Sequence, residues 1–222
     1  MVKAVIFDMF ETLITHYESP LYFGAQMALD AGIEEEAFQK LWHASEEART
    51  TGKVTLEEVL EKILRENGCY CESKMNCIVK KRIACKEEAF LHLHAEILPM
   101  LRLLKEKGRL IGLISNCFSE ESAVIRRSVL YPYFDAVCLS FDEGLQKPDE
   151  AIFKRCLDRL HVRPGECLYV GDGGSCELEA ASALGMKAVQ AVWYLKEGVN
   201  QPSQRKAAFE AVETPLDLLD MI

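Results

Sequence analysis

Four groups of residues combine side chains that can do chemistry. Asp8 closes the apolar run Val2-Lys3-Ala4-Val5-Ile6-Phe7, with the hydroxyl of Thr12 four residues on. An unpaired carboxylate at the end of a buried strand needs a partner or a task. Ser115 and Asn116 offer a hydroxyl and a carboxamide after a second apolar run. Lys147, in Lys147-Pro148-Asp149, is a point charge on a flexible stem. Such a group can hold a carboxylate ionised and neutralise charge on a transferred group. Asp172 and Glu177 flank Gly173-Gly174-Ser175, whose small residues let backbone N–H groups approach an anion at a helix start. Taken singly, each has a plainer use. An Asp caps a turn, Ser-Asn ends a strand, most lysines are solvated, and an acid in a first helical turn favours the dipole by roughly 0.3–1 kcal/mol.

The elements that must position these residues alternate. Short apolar runs at 2–7, 110–115, 136–140, 167–171 and 187–192 are too short for helices. Most are continuous rather than alternating, as in strands covered on both faces. Helical stretches fall at about 99–107, 120–130, 150–160 and 176–184, with Gly108 ending the first. This rhythm predicts an α/β fold built on a doubly wound, Rossmann-like parallel sheet. From about residue 15 to 93 nothing reads as a strand. One helix ends at Gly32, a second covers 34–49, a third is capped by Thr55 with Glu58 and ends at Gly68, and a fourth covers 73–90. Four helices inserted after the first strand predict an all-helical cap over the open end of the sheet, where ligands of such sheets bind. The expected division is a core of residues 1–15 and 94–222 and a cap of 16–93. The tail, 207–222, reads as a last short strand or loop followed by a closing helix at 215–221.

Composition bounds the partners. The chain has 222 residues, 49% hydrophobic and 27% charged, which excludes disordered and collagenous classes. A net charge of −9 argues against a broad nucleic-acid face, and no run approaches a membrane span. Met1 leads straight into the first strand with no signal peptide, so a soluble, cytoplasmic protein is expected, as a monomer or homodimer. The nine cysteines show no C-x-x-C spacing and are read as reduced thiols, several in the core. Cys69-Tyr70-Cys71 as a soft-metal pair is the weaker alternative. His92 and His94 are expected at the surface or an interface, and Trp193-Tyr194 packed on the sheet edge.

In their order and on successive strand ends, Asp8-to-Thr12, Ser115-Asn116, Lys147-Pro148-Asp149 and Asp172-to-Glu177 resemble the motifs of the haloacid dehalogenase-like (HAD) hydrolase superfamily with a helical cap. The resemblance covers nearly the whole chain. It implies that Asp8 is a nucleophile forming a covalent aspartyl intermediate, with Lys147 and Ser115 also catalytic. It implies that Thr12, Asn116 and Gly173 bind the phosphoryl group. It further implies a Mg²⁺ site of Asp8, the Phe10 carbonyl, Asp172 and Glu177, the last acting directly, through water or through Lys147. One or two carboxylates plus a substrate phosphate suffice for Mg²⁺, and dehalogenating members have a neutral residue at the Asp172 position.

One position departs from the pattern. Phe10 stands where the phosphatases carry a second Asp that protonates the leaving group, a role that supplies 10²–10⁴-fold. The 2-haloacid dehalogenases carry an aromatic there, because a halide leaves without a proton. Glu11 is the nearest replacement acid, although its offset from Asp8 is expected to turn it away. His16, Tyr17, His43 and Arg49 are the cap-side candidates. Arg49 suits a phosphate or carboxylate, unless it is a solvated helix-end arginine. The expected function is a Mg²⁺-dependent phosphatase acting on a small phosphate ester or acyl phosphate. The alternatives are a 2-haloacid dehalogenase-type hydrolase using Asp8, and a catalytically weak binding protein of this fold.

Overall fold

Ala4–Phe7 (β1) is buried along its whole length, which its unbroken apolar sequence requires. The computed structural model describes residues 2–196, 199, 201 and 203–222. After β1 come helices α1 (Gly24–Ala31), α2 (Glu35–Ala44), α3 (Glu46–Thr50), α4 (Leu56–Glu66) and α5 (Glu72–Ala89). The sheet then resumes through α6 (Ile97–Glu106), β2 (Leu110–Ser115), α7 (Ser119–Arg127), β3 (Ala136–Leu139), α8 (Ser140–Glu143) and α9 (Glu150–Leu160). It ends with β4 (Cys167–Gly171), α10 (Glu177–Ala183), β5 (Lys187–Ala191), β6 (Glu210–Val212) and a 3₁₀ helix, Pro215–Met221.

Strand order is β3-β2-β1-β4-β5-β6, and every pairing is parallel. The winding reverses at β1, so the switch point lies at its carboxyl end, between β2 and β4. Register sets Phe7 beside both Leu113 and Val170. Asp8, directly after Phe7, and Ser115 and Asp172, two residues beyond Leu113 and Val170, therefore lie together at the carboxyl end of the sheet.

Two cores sandwich the sheet. Phe7, Leu101, Ile111 and Val170 belong to one, and Ile6, Ile152, Phe153 and Tyr169 to the other. A third apolar cluster, including Met27, Phe38, Leu60 and Ile63, lies within the inserted helices, so the cap has a core of its own. Each fully buried side chain of this size contributes about 1.5–3 kcal/mol. The cap is tied to the core by Arg82 and Lys86 of α5, which form buried ion pairs with Glu120 and Glu121 of α7.

The inserted helices number five rather than the expected four, because the 34–49 segment breaks at Ser45. Its hydroxyl donates to the Trp42 carbonyl at 2.8 Å and accepts from Arg49 Nε at 3.0 Å, a local alternative to the helical ladder. Gly32 and Gly108 end their helices at φ of 70° and 68°, the left-handed region glycine enters without steric cost. All nine cysteines are free thiols, and Cys117, Cys138, Cys156 and Cys167 are buried as core residues. Among the described residues no helix is long and apolar enough to cross a membrane.

Candidate active site

Asp8 follows directly from β1 and is 5% exposed. Lys147 Nζ lies 2.6 Å from its Oδ1, and the Met9 N–H donates to the same oxygen at 2.7 Å. Both contacts fall on Oδ1, which leaves Oδ2 with lone pairs to spend. Lys147 is held in turn by Asn116, whose Oδ1 accepts from the Lys147 N–H at 2.8 Å and whose Nδ2 donates to the Lys147 carbonyl at 3.0 Å. The Asn116 carboxamide, expected on the substrate, thus clamps the lysine backbone. Ser115 is fully buried at the end of β2, with its Oγ donating to the Asn116 carbonyl at 3.4 Å. Thr12 is also fully buried, and its Oγ1 has no partner among the described residues.

Asp172 and Glu177 converge on Asp8. One carboxylate oxygen from each of the three lies within 4.8 Å of the others. Burial, chiefly, pushes Asp8 up from 3.8 to about 7; Lys147 opposes this, and the charges of Glu177 and Asp172 add to it. Asp172 is pushed up to about 6, again first by burial and then by Glu177. Three buried carboxylates against one ammonium leave negative charge that hard oxygen donors normally give to a divalent cation. The donors present therefore fit Mg²⁺.

The glycine loop differs from expectation. Gly173, expected to offer its N–H to the phosphoryl group, donates it to Glu177 Oε1 at 2.6 Å. Ser175 N–H goes to Glu177 Oε2 at 2.8 Å and Gly174 N–H to Asp172 Oδ1 at 3.1 Å. The loop's anions are the protein's own carboxylates, which it orients. Glu177 packs so tightly that a Cβ at Gly171 would meet its Oε1 at 2.7 Å.

A cavity of about 920 Å³ opens between these residues and the cap, lined by Phe10, His16, Trp42, Arg49, Phe118 and Lys147 among others. A smaller one of about 120 Å³ adjoins it and brings Asp8, Phe10, Glu11, Lys147 and Asp172 together. Glu11 has a left-handed backbone, φ 56°, and is among the residues lining both cavities. It accepts from the Thr15 hydroxyl at 2.5 Å and the His16 N–H at 3.0 Å, and burial raises its pKa. His16 stacks on Phe10 with centroids 5.0 Å apart. Its Nε2 lies 3.0 Å from Lys86 Nζ, and burial, with that ammonium, lowers its pKa to about 3. His16 is therefore neutral and ill suited to replace the missing acid. His43 stands exposed at the rim, 3.9 Å from Glu46.

Some supporting hydrogen bonds were not foreseen. Trp193 Nε1 donates to the Thr12 carbonyl at 2.8 Å, and the Tyr194 hydroxyl accepts the His94 N–H at 2.8 Å. These residues brace the loop after Asp8 and join it to the chain leading into α6. Gln190 Nε2 donates to the Asp172 carbonyl at 2.8 Å. A fully polar Gln inside the apolar run 187–192 was the signal available for that contact.

The parallel sheet, its switch point and the roofed cavity define an α/β protein with a helical cap over the site. Residues 2–185 match the haloacid dehalogenase-like hydrolase family, and the chain belongs to it. It is 25% identical over 232 residues to the glyceraldehyde 3-phosphate phosphatase of Methanopyrus kandleri, covering 100% of this chain and 97% of the relative. Among solved structures it resembles the 2-haloacid dehalogenase of Pseudomonas syringae (TM-score 0.68, 21% identity, 99% and 97% of the two chains). It resembles equally a HAD phosphatase from Thermococcus onnurineus (TM-score 0.67, 19% identity, 99% and 97%). At these identities the structural likeness speaks for the fold.

Proposed function

We propose that this chain is a Mg²⁺-dependent phosphatase of small phosphorylated metabolites, working in the cytoplasm through an aspartyl-phosphate on Asp8. The observation that carries the reading is Asp172 beside Asp8, with Glu177 completing the cluster. A buried carboxylate kept next to a nucleophilic carboxylate is a costly like-charge neighbour unless a cation shares the site. The phosphatase relative named above supports the same choice. The catalytic core is taken as residues 1–15 and 94–222, with 16–93 forming the roof that selects substrate.

Asp8 Oδ2 attacks phosphorus, the bond to the leaving oxygen breaks, and an acyl phosphate forms on Asp8. Water then attacks the phosphorus of that acyl phosphate, releasing inorganic phosphate and restoring the carboxylate. Lys147, 2.6 Å from Oδ1, favours the ionised form of Asp8 against its burial and offsets charge on the transferred group. Asp8, the Phe10 carbonyl, Asp172 and Glu177 would hold Mg²⁺, which supplies charge neutralisation at the phosphoryl oxygens. Phe10 donates no proton, so substrates whose leaving group departs as a stable anion, such as acyl phosphates, are favoured. The test is hydrolysis of 4-nitrophenyl phosphate with Mg²⁺, abolished by chelator and by Asp8→Asn. Absence of turnover in every metal condition would sink the reading.

Phe10 itself favours a second reading, a 2-haloacid dehalogenase with the same nucleophile. Chloride release from a 2-chloro acid in chelator, together with no phosphate release, would establish it instead.

A further inference from the structure

Four side-chain cations are buried among the described residues, and three have carboxylate partners. Lys147 pairs with Asp8, while Arg82 and Lys86 pair with Glu120 and Glu121. Arg49, 1% exposed, forms no ion pair among the described residues. Its guanidinium carbon lies 3.6 Å from the Trp42 ring centroid and 4.0 Å from that of Phe118. Nε donates to Ser45 Oγ and Nη2 to the Trp42 carbonyl, both at 3.0 Å. Nη1 is buried and has no acceptor. The two rings offset part of the desolvation cost, since a desolvated cation–π contact is worth about 2 kcal/mol. They do not supply an acceptor for Nη1, and the carboxylates of Glu120, Glu121 and Glu46, which act on Arg49 from a distance, form no ion pair with it.

A second donor in the same cavity is also idle. The Lys86 ammonium donates to His16 Nε2, so the ring proton sits on Nδ1, which is buried without a partner. Arg49 and His16 both line the 920 Å³ cavity that reaches Lys147. One unpaired positive charge and two idle donors call for a single negative charge with more than one acceptor oxygen, and a carboxylate has both.

We infer that the phosphorylated substrate bears a carboxylate at its far end, and that Arg49 is the counterion of that carboxylate. The inference rests on the phosphatase reading only for the other end of the molecule. A neutral far end would leave the buried Nη1 donor without a charged acceptor. Trp42 belongs to the cap and Phe118 to the core, so the two rings against the Arg49 guanidinium stand on opposite sides of the seam.

The test compares straight-chain ω-phosphooxy carboxylates of about two to five carbons with their carboxamides. Each pair is measured for kcat/KM with Mg²⁺, and by calorimetry on Asp8→Asn, which does not turn over. At one chain length or more the acid is expected to be favoured at least about 30-fold, the lower end for losing one member of a buried charge pair. Arg49→Gln should bring that ratio close to one, and Arg49→Lys should retain part of it. If Arg49→Gln does not fold, the acid-to-amide ratio in the wild type and in Arg49→Lys decides. Equal handling of acid and amide at every length, or a preference that survives in Arg49→Gln, overturns the inference. Turnover of 4-nitrophenyl phosphate, which lacks a far group, reports the phosphatase reading separately. If that fails, the calorimetric ratio still decides the role of Arg49.

Discussion

Asp172→Asn should stabilise the metal-free protein while abolishing its response to Mg²⁺. Asp172 is 4% exposed, and burial with the neighbouring Glu177 raises its pKa from 3.8 to about 6. At about 1.4 kcal/mol for each tenfold change in proton affinity, this amounts to about 3 kcal/mol. The sign follows from linkage. The folded state holds the proton more tightly than the unfolded chain, so stability present below about pH 4 is lost as pH rises to about 6 and stays lost above it. An asparagine carries no charge to desolvate, and its Oδ1 can still accept the Gly174 N–H that Asp172 accepts at 3.1 Å. In chelator at pH 8 the variant should therefore be more stable by about 1–3 kcal/mol. For a chain of this length that is a Tm higher by roughly 2–12 °C. At pH 4 the difference should vanish. With saturating Mg²⁺ the wild type gains binding free energy that the variant cannot match, so the gap closes or reverses. Thermal unfolding in chelator and in Mg²⁺, at both pH values, is the assay. A variant less stable than wild type in chelator at pH 8, or a gap that ignores pH, would refute the reasoning.

Three other perturbations have defined outcomes. Lys147→Met leaves Asp8 buried without its cation, and kcat/KM for an aryl phosphate should fall at least about 100-fold; a loss under fivefold would remove Lys147 from the reaction. Phe10→Asp restores a proton donor, so turnover of alkyl phosphates should rise by about 10² relative to aryl phosphates, seen as a flatter dependence of rate on leaving-group pKa. An unchanged slope would show that another group already supplies the proton. Trp193→Phe deletes the hydrogen bond to the Thr12 carbonyl and should cost about 1 kcal/mol in urea unfolding. A neutral result would mean that the loop after Asp8 is braced elsewhere.

The fold was legible because its strands are continuous apolar runs ended by chemically distinct residues. The run 110–115 and the strand Leu110–Ser115 coincide, as do 167–171 and Cys167–Gly171. The cap was legible as an absence of strands, and its third helix from the Thr55–Glu58 box, where the Glu58 N–H donates to Thr55 Oγ1 at 3.3 Å. What escaped is whatever depends on long-range partners. That Asn116 holds Lys147 spans 31 positions, and that Trp193 braces Thr12 spans 181. The direction of Glu11 was not legible, because a two-residue period gives it only in extended backbone and a φ of 56° breaks that period. Arg49 could be named as a guanidinium suited to an anion, yet its burial and lack of a counterion follow from two rings contributed by separate segments.

The central claim is a covalent phosphoryl group on Asp8. The protein should be mixed with 4-nitrophenyl phosphate and Mg²⁺, quenched in the steady state, reduced with borohydride and mapped by peptide mass spectrometry. The account predicts homoserine at position 8 only, dependent on both substrate and Mg²⁺. Reduction at another carboxylate, or no reduction while phosphate is released at full rate, would contradict it.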